Sequence, residues 1–145
     1  MKIEEIKQMI DKDSAFLKDE VNIDIAGLSV PELCGRYLQL IYDETLTLRY
    51  FSREYDVMVR KRTEFYLGKA DPEEYKKEPM DLKILRSDVS IYLKSDNQLN
   101  ECRDKVIMQE EKINLIQGQV KSIMSVSFNI GNTIKWKNYL AGNIG

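Results

Sequence analysis

From Ser29 to Gly68 apolar side chains recur every three and four residues without interruption. One row is Cys34, Ile41, Leu48, Tyr55 and Arg62; the other is Tyr37, Glu44, Phe51, Met58 and Phe65. Such a double row is the seam of a helix that packs against a partner helix. Glu44 and Arg62 are its two charged members, and a charge on a seam costs stability unless it is paired or solvated. Ser29-Val30-Pro31-Glu32 reads as a capping box with proline in the first turn. Gly68 reads as the C-cap. The pattern therefore predicts one long helix over 29–68.

Upstream, Ile3, Ile6, Met9 and Ile10 share one face of a short amphipathic helix over 2–12. Val21, Ile23 and Ile25 then alternate with Asn22 and Asp24, which predicts an extended arm over 13–28. Downstream, Asp71-Pro72-Glu73-Glu74 opens a helical turn or two in a connector over 69–80. Leu85, Tyr92, Leu99, Val106, Ile113 and Val120 recur every seven residues, with Cys102, Ile116 and Ile123 at complementary positions. They predict a second long helix over 81–124. At 1.5 Å per residue the two helices are roughly 57 and 65 Å long, too long for one compact domain of this size. An antiparallel hairpin whose surplus apolar surface is covered by further copies of the chain resolves that excess.

The tail, 125–145, carries Phe128, Ile130, Ile134, Trp136, Tyr139 and Leu140, and terminal apolar content of this kind predicts an oligomer contact. Ser125, Ser127 and Gly131 predict a bend near residue 126. The expected architecture is a single all-α domain over 1–145, with two long antiparallel helices, a short N-terminal helix and a C-terminal helical tail, in an oligomeric assembly.

Composition narrows the function classes. Charged residues make up 32% of the 145, with seven Gly and three Pro, a balance suited to long helices. The net charge of −2 excludes a uniformly basic nucleic-acid binder, so any such surface is local. Residues 1–32 are rich in acidic groups, whereas 46–69 are rich in Lys and Arg. With no histidine in the chain, a Cys/His zinc site and a histidine base are both excluded. Cys34 and Cys102 fall on apolar seams and read as free, structural thiols of a cytosolic chain. No phosphate loop, nucleophile elbow or metal set is visible, so neither an enzyme nor a cofactor is expected.

The basic tip of the first long helix is the one feature that points to chemistry. Arg49, Arg53 and Arg60 lie near one outer strip, and Arg60, Lys61 and Arg62 fan around the last turns. Positive charge at a helix C-terminus also complements the helix dipole, which is the plainer explanation. Tyr50, Tyr66 and Tyr42 lie off the seam, however. Arginine beside exposed rings suits single-stranded nucleic acid, whose phosphates take the charge and whose bases stack.

Val57-Met58-Val59-Arg60-Lys61-Arg62-Thr63-Glu64-Phe65-Tyr66-Leu67-Gly68 resembles the signature stretch of the UvsY-type recombination mediators of T-even-like phages. That signature is a basic residue, any residue, Arg, two residues, two aromatics, one residue and Gly, closing a long helix. Leu85-Arg86-Ser87-Asp88, Tyr92-Leu93-Lys94-Ser95-Asp96 and the ending Ile134-Lys135-Trp136-Lys137-Asn138-Tyr139-Leu140-Ala141-Gly142 are similar to the family as well, in the same order. The resemblance implies a non-catalytic protein acting in the cytoplasm of the infected host cell. It implies binding to single-stranded DNA as a ring, heptameric or similar, or as an open barrel. It also implies partnership with the phage's RecA-like recombinase and its single-strand-binding protein. The family's two DNA-contacting basic positions fall on Arg60 and Arg62; this chain has Arg rather than Lys at the first and an additional Lys61 between them. The DNA-binding set expected from residues and resemblance together is Arg60, Arg62, Lys61, Arg53, Arg49 and Tyr66. The competing expectation is a helical-hairpin scaffold or holdase-like adaptor that uses its apolar seams and never touches DNA.

Overall fold

The computed structural model describes residues 1–19, 23–80 and 82–142. Five helices follow one another: α1 (Ile3–Leu17), α2 (Ile23–Tyr66), α3 (Pro72–Lys77), α4 (Val89–Lys94) and α5 (Asn97–Leu140), with a 3-10 turn at Arg86–Asp88 before α4. There is no strand among the described residues, and no helix of theirs is long and apolar enough to cross a membrane. The chain gathers into two compact units, Met1–Glu44 with Glu111–Gly145, and Thr45–Glu110.

In the first unit α1, the N-terminal part of α2 and the C-terminal part of α5 enclose one core. Ile6 and Leu17 meet Ala26, Leu33 and Tyr37, and both sets meet Ile116, Val120, Ile123 and Ile130. Burying large aliphatic side chains of this kind stabilises by roughly 1.5–3 kcal/mol apiece. The buried Tyr37 donates its hydroxyl to Asp13 Oδ2 at 2.7 Å, so the polar tip of the ring is satisfied. Within this unit α2 and α5 are antiparallel: Gly27 lies against Ile130, and Glu44 is bonded to Lys112 Nζ at 3.3 Å. A Cβ on Gly27 would stand 3.4 Å from the Ile130 side chain, at van der Waals contact.

The second unit holds the C-terminal part of α2, all of α3 and α4, and the N-terminal part of α5. Phe65, Val89 and Leu99 are its buried apolar residues. Arg103 approaches the Tyr55 hydroxyl at 3.5 Å and Arg62 bonds Asp96, so α2 and α5 run antiparallel here too.

Several boundaries differ from the sequence expectation, each for a local reason. Helix α1 runs on to Leu17, and α2 begins at Ile23 rather than after Ser29. The apparent alternation of Ile23 and Ile25 hides helical spacing: Ala26 is buried while Ile25 is exposed. Val21, part of the expected arm, and Asp81, the expected start of the second helix, lie outside the described residues. Ser29 does not cap; its hydroxyl donates back to the Ile25 carbonyl at 2.7 Å within an established helix, and Pro31 lies inside α2. The second long helix starts at Asn97, because Asp96 breaks the chain from α4 and caps α5. Ser125, Ser127 and Gly131 all fall within α5, which is uninterrupted to Leu140.

Both charged seam positions prove to be buried and paired. Glu44 meets Lys112, and Arg62 meets two carboxylates. The remaining seam residues of α2 are buried or half-buried, so the heptad reading describes its inward face.

Candidate nucleic-acid interface

The end of α2 is fixed by its backbone. Gly68 adopts φ +77°, the left-handed conformation in which glycine carries no Cβ penalty. Lys69 N–H then reaches the Glu64 carbonyl at 2.8 Å and Gly68 N–H reaches Phe65 at 3.1 Å, the paired bonds of a Schellman stop. The chain turns sharply there and lays α3 back on the tip. Tyr75 of α3 donates its hydroxyl to the Phe65 carbonyl at 2.7 Å and stacks on the Phe65 ring at 4.9 Å.

Inside this tip sits Arg62, 5% exposed. Its Nε donates to Asp96 Oδ2 at 2.7 Å, and its two terminal nitrogens meet the Glu78 carboxylate at 3.0 Å each. The guanidinium also lies over Phe65, at 4.2 Å from the ring centroid, and near Tyr66, at 5.2 Å. Tyr66 donates its hydroxyl to the same Asp96 oxygen at 2.6 Å and packs against Tyr92. Asp96 Oδ1 accepts the Leu99 amide at 2.8 Å, which is the N-cap bond of α5. One carboxylate thus serves an arginine, a phenol and a helix start.

The electrostatics follow from that arrangement. Burial by itself would weaken the charged form of Arg62, but the bonds to Glu78, Tyr66 and Asp96 outweigh it and hold the guanidinium firmly protonated. Burial would likewise raise the Asp96 carboxyl; donors from Tyr66, Leu99 and Arg62, with the arginine's charge, bring it below the usual aspartate value. Burial, and then the bond to Asp96, push the Tyr66 hydroxyl up.

Two of the six expected DNA contacts are engaged within the tip itself. Arg62 is bonded to Asp96 and Glu78, and its plane lies against the Phe65 and Tyr66 rings. Tyr66 is half-buried, with its hydroxyl bonded to Asp96.

The other four expected residues are exposed. Arg49, Arg53 and Arg60 fall within one strip of α2 at helical spacing, and Lys61 projects to one side of it. Arg60 meets Glu64 at 3.4 Å, an exposed i,i+4 pair of the sort that contributes under about 1 kcal/mol and yields readily to a phosphate. Arg49, Arg53 and Lys61 make no ion pair among the described residues. Beside them lie two adjoining cavities. One, of about 390 Å³, is lined by Arg60, Lys61, Arg62 and Lys69, by the carboxylates of Glu64, Asp71 and Glu74, and by Met58 and Phe65. The second, of about 680 Å³, opens between α2 and α5. Met58, Lys61 and Gln98 line both.

In the tail, Phe128, Trp136, Tyr139 and Leu140 are well exposed and Ile134 is marginally so. Trp136 and Tyr139 stack at 5.6 Å. Ile130 departs from the expectation: it is 7% exposed and belongs to the first unit's own core, so it is unavailable to another copy.

Asp96 and Glu78 were missed as site residues. Asp96 carried a readable signal, an aspartate directly before a helical run, but the continuous heptad through Leu85, Tyr92 and Leu99 masked it. Glu78 carried none, because its role depends on the turn that returns α3 to α2.

A family model described as "Recombination, repair and ssDNA binding protein UvsY" matches residues 9–143. No curated protein and no solved structure matches the chain.

Proposed function

The chain belongs to the UvsY family of recombination, repair and single-stranded-DNA-binding proteins, and from that premise we propose that it is a recombination mediator. In this reading it binds single-stranded DNA through the exposed face of α2 and helps a RecA-like phage recombinase onto strands covered by single-strand-binding protein. The observation that carries the reading is the split at the tip of α2. Arg62 is bonded within the tip, while Arg60 projects in line with Arg49 and Arg53 and Lys61 projects to one side of them.

Four cations on a net-acidic chain bind weakly. Several copies presenting the same cations to one strand would bind far more tightly, because each further contact is intramolecular; such linkage raises avidity by about 10²–10⁴. The exposed Phe128, Trp136, Tyr139 and Leu140 are the residues we assign to that assembly. The same apolar exposure also favours the scaffold or holdase reading, in which the cations are incidental.

Binding of a labelled oligo-dT separates the two. The mediator reading expects log K to fall with log salt at about −0.7 per phosphate neutralised. It expects Arg60→Ala with Lys61→Ala, and Arg49→Ala with Arg53→Ala, each to weaken binding and flatten the slope while the particle mass is unchanged. Affinity independent of salt, or unaltered in both double variants, would overturn it.

A further inference from the structure

The groove between α2 and α5 in the second unit has the chemistry of a nucleotide site, and nothing in the family description assigns it. One wall is α2, with Tyr50, Arg53, Val57 and Lys61; the other is α5, with Gln98, Cys102 and Lys105. Its volume of about 680 Å³ is that of a ligand cleft, which typically spans about 300–1,000 Å³.

Three features bear on its occupant. Tyr50 is 58% exposed, with its ring tilted against Phe51 at 5.9 Å between centroids. The neighbouring Glu54 carboxylate, one helical turn on, pushes its phenol up. Cations stand on both walls, Arg53 and Lys61 on α2 and Lys105 on α5, against the carboxylates of Glu54 and Glu101. Val57 and Met58 of α2 supply apolar lining among them. An exposed ring, apolar lining and cations on both rims complement a base with its flanking phosphates.

Resting on the proposed single-stranded-DNA binding, we infer that this groove takes one base of the bound strand, stacked on Tyr50, with Lys105 of α5 contacting its phosphate from the side opposite Arg53 and Lys61. Lys61 lines this groove and the cavity beside Arg60, so the strand passes from one to the other across it. Gln98 offers a donor and an acceptor to a base edge without selecting one base.

The test uses the full-length chain and oligo-dT, with an otherwise identical oligomer of abasic sites as control. Tyr50→Leu keeps apolar bulk and removes the ring; it should weaken oligo-dT binding about 5- to 150-fold, the range for one lost base–aromatic stack. Tyr50→Phe should bind as the wild type does. The abasic oligomer should bind wild type and Tyr50→Leu equally. Lys105→Ala should reduce the salt slope by about 0.7. As a readout independent of affinity, oligo-dT should slow alkylation of Cys102, which lines the groove, while that of Cys34, located by peptide mapping, stays constant. Wild-type binding that is lost in Arg60→Ala/Lys61→Ala but intact in Tyr50→Leu and Lys105→Ala, with Cys102 unprotected, overturns the groove and leaves the mediator reading standing. No binding by the wild type overturns both.

Discussion

Arg62 Nε and Asp96 Oδ2 are 2.7 Å apart, and both residues are almost fully buried. The bond ties the last turns of α2 to the N-cap residue of α5, and Glu78 closes the arginine's other side. Removing one partner of a buried pair strands the other, at a cost of about 3–5 kcal/mol. Arg62→Ala and Asp96→Ala should each lower the urea midpoint by a corresponding amount. Arg60→Ala, two residues away on the exposed face, should stay within about 0.5 kcal/mol. Equal effects of Arg60→Ala and Arg62→Ala on stability would contradict the division of labour at the tip.

Acid should act through Asp96. Its carboxyl titrates below the ordinary 3.8 when folded, so the folded chain binds fewer protons than the unfolded one there. The contribution is fully present above 3.8 and is lost as pH falls through the lower folded value. Denaturant midpoints for the wild type should therefore drop below that point, and Asp96→Asn should show a smaller drop from a lower starting stability. Tyr66 works the other way: its raised hydroxyl contributes below 10.0 and that contribution is lost as pH rises through the folded value, which Tyr66→Phe should abolish.

Gly68 tests the stop of α2. Nothing lies within 4 Å of a Cβ built there, so Gly68→Ala meets no clash and its penalty is purely conformational. Holding a non-glycine residue at φ +77° costs roughly 1–2 kcal/mol. Thermal unfolding should show that loss, with Gly68→Asn milder, because asparagine tolerates the left-handed region.

The tail tests assembly. Trp136→Ser with Tyr139→Ser removes a stacked, exposed pair and should leave the monomer fold intact by circular dichroism. Light scattering should then report a smaller particle, and oligo-dT affinity should fall by about 10²-fold or more as multivalency is lost. An unchanged mass would remove the tail from the assembly.

The all-helical class and the inward face of α2 were legible along the chain, because helical periodicity is a local property. Cys34, Tyr37, Phe51 and Phe65 stand inward as their spacing predicts. The basic strip of Arg49, Arg53 and Arg60 was equally legible, since residues on one helix face are set by number alone.

What only tertiary structure decided was which charge is buried and which is free. Arg60 and Arg62 are chemically identical and two residues apart, and the local pattern marked Arg62 only as a charge on a seam. Its partners, Asp96 and Glu78, lie 34 and 16 residues away in sequence, and only the turn at Gly68 and the cap at Asp96 bring them to it. Burial of an arginine requires carboxylates and rings assembled from several elements, and no local pattern encodes that assembly. Ile130 makes the same point in the tail: its neighbours Phe128 and Ile134 are exposed, while packing with residues of α1 and α2 places it in the core.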